Sequence, residues 1–118
     1  PGHLHSWPAA VARVRRRFPR LRMVAAHLAG IADKPEEAGI IYGQDIYLDT
    51  SVSPIRLPPG AYAALVRAHG PERILLASDC PWGDIPGTLA LLETLGLTED
   101  ELDQICWRNA AALLGLPA

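Results

Sequence analysis

Three short apolar segments along this chain each lead to a polar residue just ahead of a loop. The segments and the residues that follow them are Leu21–Ala26 with His27, Ile46–Leu48 with Asp49, and Ile74–Ala77 with Ser78 and Asp79. A stretch of helical character follows each loop. This alternation is typical of consecutive βα units, in which the strands are parallel and polar chemistry collects at their carboxyl ends. The pattern therefore predicts an α/β fold with about three parallel strands and an enzyme-like cluster at one edge of the sheet.

Helical periodicity fills the segments around the strands. Val11, Val14 and Phe18 recur at spacings of three and four, which predicts the apolar stripe of a first helix. The other predicted helices are a weak one from Pro35 to about Tyr42, one carrying the stripe Tyr62, Leu65, Val66 and His69, one from Pro86 to about Leu95, and one from Glu99 to Leu114 with a break near Asn109 and a capping box of Thr98 and Glu101 at its start. Helical crossovers between such strands are nearly always right-handed and make a parallel sheet. We expect Trp107, on the last predicted helix, to pack in the core.

The length limits how much of a barrel the chain can form. A closed barrel of βα units needs eight strands and about 250 residues, whereas this chain has 118 residues. The opening Pro1-Gly2-His3 carries no initiator methionine, which we interpret as a cut inside a longer polypeptide. We expect residues 1–118 to form a single partial domain.

The composition argues against some classes of function. Lys and Arg number 11 against 13 Asp and Glu, so the charge gives no indication of binding to nucleic acid. Six arginines crowd between residues 13 and 22; we interpret them as a solvated helix face, with an anion-binding patch as the alternative. No apolar run approaches the roughly 20 residues of a membrane span. Cys80 and Cys106 lack the spacing of a disulfide framework, which favours reduced thiols and a cytoplasmic location.

The residues at the predicted strand ends are the candidates for chemistry. Asp79 could bind a cation or accept a proton, or it could cap its own turn. His27 could be a ligand or an acid/base residue, or a partly buried structural histidine. For Asp49, a structural role such as orienting a ligand is the favoured interpretation. Ser51 offers a hydroxyl at the same edge, and Trp82 could form the wall of a pocket or pack on a neighbouring loop.

A His-Leu-His pair near the start of the chain is a further candidate. His3 and His5 follow a Pro-Gly loop, and no apolar strand precedes them. In a short extended stretch both rings could point the same way, because side chains alternate with a period of two. The pair could bind a metal, but contact between this loop and a substrate is the favoured interpretation. We therefore group His5 with Ser51 and Trp82 as candidate substrate-binding residues.

Four stretches resemble, in order and spacing, the second half of the amidohydrolase-related proteins, which are metal-dependent hydrolases with a TIM-barrel fold. They are residues 18–30 (FPRLRMVAAHLAG), 46–51 (IYLDTS), 73–82 (RILLASDCPW) and 109–116 (NAAALLGL). One departure is Ala29, which stands where glycine is common in the family. The resemblance implies that the chain is the carboxyl-terminal part of a (β/α)8 barrel.

The resemblance also implies roles for two residues. Asp79 corresponds to the eighth-strand aspartate, which binds the metal and takes the proton of the attacking water. His27 corresponds to the sixth-strand histidine, a metal ligand in some members and an acid/base residue in others. The implied cofactor is a divalent metal ion, with Zn²⁺ as the expected ion. The implied substrate is a small molecule with an amide, ester or lactone carbonyl, which metal-activated water attacks.

Two other functions stay open at this point. A relative of the same superfamily could decarboxylate an acid at the same metal, and Arg56 is the loop residue that could hold a substrate carboxylate. Alternatively, the chain could be a non-catalytic half-barrel that associates with another chain, since open strand edges favour association. The family's other histidine ligands would lie before Pro1, so we expect no efficient catalysis from this chain alone. The full-length form is expected to be a homo-oligomer.

Overall fold

The predicted strands form one parallel sheet. The computed structural model describes residues 7–52 and 56–117. Strands β1 (Val24–Ala25), β2 (Tyr47–Asp49) and β3 (Ile74–Leu75) lie in the order β1-β2-β3, and both pairs are parallel. This confirms the α/β class and the three strands expected from the apolar segments.

β1 and β3 are shorter than the apolar segments Leu21–Ala26 and Ile74–Ala77 that predicted them, and other structure follows both strands at their carboxyl ends. β1 ends where the chain turns into a 3₁₀ helix, His27–Gly30. Beyond β2 and β3, the Thr50 hydroxyl takes the place of a backbone pairing. Its Oγ1 donates to the Ala77 carbonyl at 2.9 Å and accepts the Ala77 N–H at 2.8 Å.

Helical segments separate and flank the strands. In the described residues they are α1 (Pro8–Arg17), 3₁₀ helices at His27–Gly30, Pro35–Ile40 and Pro71–Arg73, α2 (Pro59–His69), α3 (Ile85–Glu93), α4 (Glu99–Asp103), a π-helical segment at Gln104–Arg108, and α5 (Asn109–Leu114). The π-helical segment ends one residue before Asn109, where the sequence predicts a break. Among the described residues, no helix combines the length and apolar character needed to cross a bilayer.

Local sequence signals explain where two of these helices lie. All four residues of the predicted stripe on α2 are buried: Tyr62, Leu65, Val66 and His69. At the start of α4, the Thr98 hydroxyl accepts the Glu101 N–H at 3.2 Å, and the Glu101 carboxylate accepts the Thr98 N–H at 2.8 Å. This reciprocal capping box is the one expected from the sequence.

Three expectations about helices were wrong in detail. Val14 and Phe18 are 41% and 53% exposed, and the buried residues of α1 are instead Pro8 and Ala12. At the amino end of α1, the Ala9 N–H donates to the Glu37 carboxylate at 3.0 Å and so connects α1 to the segment Pro35–Ile40. The weak helix expected from Pro35 is a 3₁₀ helix. Trp107, expected in the core, is 46% exposed.

The sheet is buried on one face. The register puts Ala25, Leu48 and Ile74 side by side, and all three lie in the hydrophobic core with residues of α2 and α3. On the opposite face Val24 is 49% exposed. A parallel sheet is normally covered on both faces, so this second face presents apolar surface that the described residues leave open.

Candidate active site

His27 and Asp79 come together at the carboxyl edge of the sheet. His27 Nε2 lies 3.6 Å from Asp79 Oδ2, and the two side chains are 51% and 41% exposed. This separation exceeds hydrogen-bond length. The two groups therefore face each other across a short gap that solvent reaches, although 51 residues lie between them in sequence.

Unusual backbone geometry points these residues at each other. His27, Leu28 and Ala29 have φ angles of 55°, 50° and 56°, and Asp79 has a φ of 61°. This left-handed conformation costs non-glycine residues about 1–2 kcal/mol each, so it persists only where surrounding contacts impose it. Leu28 and Ala29 are each 1% exposed, which anchors the turn in the core.

Asp49 and Ser51 hold the imidazole of His27 on its Nδ1 side, opposite the Nε2 atom that faces Asp79. Asp49 Oδ1 accepts the backbone N–H of His27 at 3.0 Å and that of Ser51 at 3.1 Å. The Ser51 hydroxyl donates to the same Asp49 oxygen, and Ser51 Oγ lies 2.6 Å from His27 Nδ1. Asp49 therefore positions both the histidine backbone and the serine that contacts its ring.

This arrangement favours one tautomer of the histidine. A serine hydroxyl carries a single proton, and the Asp49 carboxylate is an acceptor for it. Ser51 Oγ can then accept from His27, which favours the neutral ring with its proton on Nδ1. The lone pair of Nε2 is then directed toward Asp79, where it can bind a cation or accept a proton.

The loop that carries Asp79 is held by a close backbone approach. A Cβ atom added at Gly83 would lie 2.4 Å from the carbonyl oxygen of Ser78, well inside van der Waals contact. The Trp82 N–H closes the loop by donating to the Asp79 carbonyl at 2.9 Å. Glycine at position 83 thus allows the loop to fold back over the end of β3.

A cleft of about 370 Å³ opens around the His27–Asp79 pair. Its walls are mainly apolar, with a few polar and charged side chains, and are formed by Trp7, Ala26, His27, Leu28, Gly30, Ala32, Asp33, Ser51, Val52, Arg56, Asp79 and Trp82. Arg56 forms an ion pair with Asp33 in this wall. The volume is within the range of small-molecule sites.

Four of the five site residues predicted from the sequence share this cleft: His27, Ser51, Asp79 and Trp82. The fifth, His5, lies outside the described residues, as does His3. The contact of Ser51 with the histidine ring was not predicted, although the Asp-Thr-Ser run at the end of β2 is a sequence signal for hydroxyl–carboxylate pairing. Their functional roles remain predictions.

Asp33 and Trp7 were missed as lining residues. They lie in segments that the sequence marks only as a loop and a helix start, so their position depends on how those segments pack.

The residues present fit part of a divalent-metal site. Within residues 7–52 and 56–117, no three His, Cys, Asp or Glu side chains cluster closely enough to hold an ion. Two donors do face each other, however: the Nε2 lone pair of His27 and the carboxylate of Asp79. Ligands about 2.1 Å from a tetrahedral ion lie about 3.4 Å apart, close to the 3.6 Å found here. The contact behind the ring, at Nδ1, is also typical of a metal-ligating histidine.

Solved structures with similar folds cover most of this chain. A dihydroxybenzoic acid decarboxylase from Polaromonas sp. JS666, with manganese and the inhibitor 2-nitroresorcinol bound, matches 92% of the chain at 18% identity and a TM-score of 0.70. A 5-carboxyvanillate decarboxylase from Sphingomonas paucimobilis matches 92% at 18% identity and a TM-score of 0.68. A candidate 2-pyrone-4,6-dicarboxylic acid hydrolase from Pseudomonas putida matches 92% at 20% identity and a TM-score of 0.67.

The chain spans less than half of each of these structures. The match covers 39% of the Polaromonas and Sphingomonas chains and 49% of the Pseudomonas chain. At these identities the likeness concerns the fold. No curated protein sequence matches the chain.

Family membership comes from a match over nearly the whole sequence. The family model described as Amidohydrolase matches residues 3–116, a range that includes all three strands and both residues that face each other in the cleft. This confirms the resemblance drawn from the sequence motifs. The chain belongs to the amidohydrolase family.

Proposed function

We propose that His27 and Asp79 of this chain are two ligands of a divalent-metal site that hydrolyses an amide, ester or lactone in a small organic molecule. The observation that carries the proposal is the pairing of the Nε2 lone pair with the Asp79 carboxylate at 3.6 Å. Zinc is the proposed ion. The manganese in the Polaromonas neighbour supports a divalent cation in general.

The bound cation would polarise a substrate oxygen and make a nearby water more acidic. The chain's own residues would hold the ion and handle the proton. His27 Nε2 and Asp79 Oδ2 would bind the ion, and the second carboxylate oxygen of Asp79 can accept a proton from water at the open side of the cleft and return it to the leaving group. Asp49 and Ser51 keep the His27 ring oriented.

Decarboxylation of a small organic acid is the second candidate. Arg56 lines the same cleft as His27 and Asp79, and a guanidinium is suited to holding a carboxylate in a planar, two-bond contact. Two of the structural neighbours named above are decarboxylases, which supports this reaction about as well as hydrolysis.

Association without catalysis is a third candidate. The open face of the sheet, with Val24 half exposed on the edge strand, supports the idea that the chain functions only when it is bound to a partner chain. The neighbours are more than twice as long as the segment they share with this chain. The whole activity therefore depends on residues besides His27 and Asp79.

The first test is metal binding, measured by calorimetric titration of the chain with Mn²⁺ and with Zn²⁺. Asp79→Asn removes one ligand and should weaken binding at least tenfold. Ser51→Ala leaves the ligands in place but frees the ring, and should weaken binding by about tenfold. Asp103→Asn, an exposed carboxylate on α4 outside the cleft, is the matched control and should leave the affinity unchanged. Equal affinities for wild type and Asp79→Asn would contradict the proposal.

The second test separates the reactions. The metal-loaded chain is incubated with a panel of lactones and esters and with a panel of aromatic acids. Hydrolysis releases acid without CO₂, whereas decarboxylation releases CO₂. Turnover of either panel would rule out the non-catalytic candidate.

A further inference from the structure

A strongly basic surface lies outside the cleft, in the segment that leads from α1 into β1. No Asp or Glu precedes Asp33 in the sequence, so all 13 acidic residues lie outside this segment. An ordinary solvated face mixes charges of both signs, whereas here a chain of net charge −2 collects 6 of its 11 Lys and Arg between residues 13 and 22. These residues, which we call the basic patch, are Arg13, Arg15, Arg16, Arg17, Arg20 and Arg22.

Most of the basic patch is not neutralised. Arg13, Arg16, Arg17 and Arg20 are exposed, and within residues 7–52 and 56–117 they form no hydrogen bond or ion pair. Arg13 lies three residues from Arg16 and four from Arg17, so these like charges are neighbours on the surface of α1 and repel one another. A bound polyanion would remove that repulsion.

The basic patch lies at the edge of the sheet opposite the cleft. Trp7, just ahead of α1, lines the cleft. Arg17 is at the other end of this helix of 10 residues, about 15 Å away along its axis. From there the chain enters β1 at its amino end. A partner that covers the patch would therefore leave the mouth of the cleft free.

Ion pairs occupy the carboxylates that lead into the other two strands. Asp45, ahead of β2, pairs with Arg15 at 3.1 Å. Glu72, ahead of β3, pairs with Arg73 at 3.1 Å. These carboxylates therefore add little to the potential at this edge, and the unpaired arginines set its sign.

Exposed apolar side chains accompany the arginines. In the turn after α1, Phe18 and Leu21 are each about half exposed. Arg15 Nη1 donates to the Pro19 carbonyl at 2.6 Å and to the Leu21 carbonyl at 3.0 Å, so the backbone of the turn is held from within and its side chains stay outside. A hollow of about 470 Å³ opens in this turn, lined by Arg17, Phe18, Pro19, Arg20 and Leu21.

The end of α5 enlarges this apolar surface. It lies beside the basic patch, because Arg22 Nη1 donates to the Leu113 carbonyl at 2.8 Å. Leu114 and Leu116, next to that contact, are both more than half exposed. The acidic residues of α4 begin the same continuous helical run, so roughly 15 Å or more of helix separates them from the contact.

A phospholipid surface of negative charge fits this combination better than a nucleic acid does. Clusters of about four to eight Lys or Arg bind anionic headgroups, and apolar side chains beside them enter the boundary between headgroups and acyl chains. Single-stranded nucleic acids are held instead by aromatic side chains that stack on successive bases. Phe18 is the one aromatic residue among the exposed apolar side chains of these two turns.

We propose that the basic patch docks this chain on an anionic phospholipid bilayer. The guanidiniums of Arg17 and Arg20 bind headgroup phosphates at the hollow, and Phe18 and Leu21 enter the interface beside them. The inference is independent of the proposed function, because no residue of the basic patch lines the cleft.

The test is co-sedimentation of the chain with vesicles of phosphatidylcholine and phosphatidylserine, and with vesicles of phosphatidylcholine alone. Wild type should bind the vesicles that contain phosphatidylserine and not the others, and the binding should weaken as the NaCl concentration rises. Arg17→Gln combined with Arg20→Gln should weaken it at least about tenfold, since each arginine contributes roughly fivefold. The two substitutions remove no hydrogen bond among the described residues, so we expect the fold to be retained.

Two further variants separate charge from apolar insertion. Ala61→Glu combined with Ala64→Glu changes the net charge by the same amount on the exposed side of α2 and should leave vesicle binding close to that of wild type. Phe18→Gln keeps every charge and should weaken the binding several-fold, because the apolar insertion is lost. A surface that only attracts polyanions would respond to the double arginine variant but not to Phe18→Gln.

Competitors identify the source of the phosphate. Short single-stranded DNA and inorganic phosphate are each supplied at the phosphate concentration of the vesicles, and wild type should stay on the vesicles in both cases. Displacement by DNA would assign the basic patch to a nucleic acid, and displacement by inorganic phosphate would assign the hollow to a free anion. Either displacement would overturn the inference, as would equal binding to the two kinds of vesicle or unchanged binding in the double arginine variant or in Phe18→Gln.

Discussion

The buried face of the sheet and its carboxyl edge obey different rules. On the buried face, Ala25, Leu48 and Ile74 lie side by side in the apolar core. At the edge, His27 and Asp79 adopt left-handed backbone conformations and stay about half exposed. The apolar side chains of the buried face lie in an apolar environment that suits them. His27 and Asp79 at the edge adopt a backbone conformation that L-amino acids disfavour.

The difference indicates where stability and chemistry reside. Burial of apolar side chains supplies most of the favourable free energy of folding, and the buried face of the sheet presents such side chains. At the edge the backbone is strained, and hydrogen bonds among Asp49, Ser51 and His27 hold it in that conformation. Changes on the face should therefore alter stability first, and changes at the edge should alter ligand affinity first.

The largest expected effect comes from the centre of the buried face. Leu48 is fully buried on the middle strand, so Leu48→Ala should lower the free energy of unfolding by about 2–5 kcal/mol. Urea denaturation followed by circular dichroism measures the change. Leu114→Ala, at a site that is 69% exposed, should change it by no more than about 0.5 kcal/mol. Similar losses for both variants would remove the distinction between face and surface.

A smaller effect is expected from the loop at the edge. Gly83→Ala would bring a Cβ atom to 2.4 Å from the Ser78 carbonyl, so the loop must shift at a cost of about 1–3 kcal/mol. We expect the affinity for Mn²⁺ to fall with it, because Asp79 lies next to Ser78. Gly60→Ala, where nothing lies within 4 Å of the added atom, is the control and should be neutral or slightly stabilising. Wild-type metal affinity in Gly83→Ala would show that the loop does not fix Asp79.

The smallest expected effect is a pH dependence of stability that arises from His69, a buried residue of α2. Burial lowers the pKa of His69, and the charge of Arg73 adds to this, against the opposing hydrogen bond to the Ile46 carbonyl. The unfolded chain then binds the proton more readily than the folded chain. Stability from this residue is present above the ordinary histidine pKa of about 6.5 and is lost as pH falls below it.

His69→Gln tests this pH dependence. The glutamine amide can still donate to the Ile46 carbonyl but does not titrate. Urea midpoints at pH 7.5 and 5.5 should differ less in the variant than in wild type. An identical pH dependence in both proteins would exclude His69 as its source.

Much of the fold could be predicted from the pattern of apolar residues. The three strands, the α2 stripe and the Thr98–Glu101 capping box depend on local spacing, which the sequence shows directly. The encounter of His27 with Asp79 could also be predicted, because the carboxyl ends of all strands in a parallel sheet share one edge. The length of β3 was overestimated because the Thr50 side chain replaces the backbone pairing at Ala77.

The finer geometry of the site could not be predicted in the same way. The contact of Ser51 with the His27 ring depends on the left-handed turn after β1, and nothing in the run His-Leu-Ala favours that conformation. The Arg56–Asp33 pair joins two loops whose meeting is set by tertiary packing. Local propensity carries no information about such contacts.

The left-handed turn at residues 27–29 also makes the geometry of the site depend on complete folding of the core. Leu28 and Ala29 hold that turn because their side chains are locked into the finished core, and Asp49 adds the hydrogen bond to the His27 backbone. In a newly made or partly unfolded chain the turn relaxes, and His27 and Asp79 become two unrelated surface side chains. If His27 and Asp79 bind an ion as proposed, the affinity for that ion depends on completion of the core.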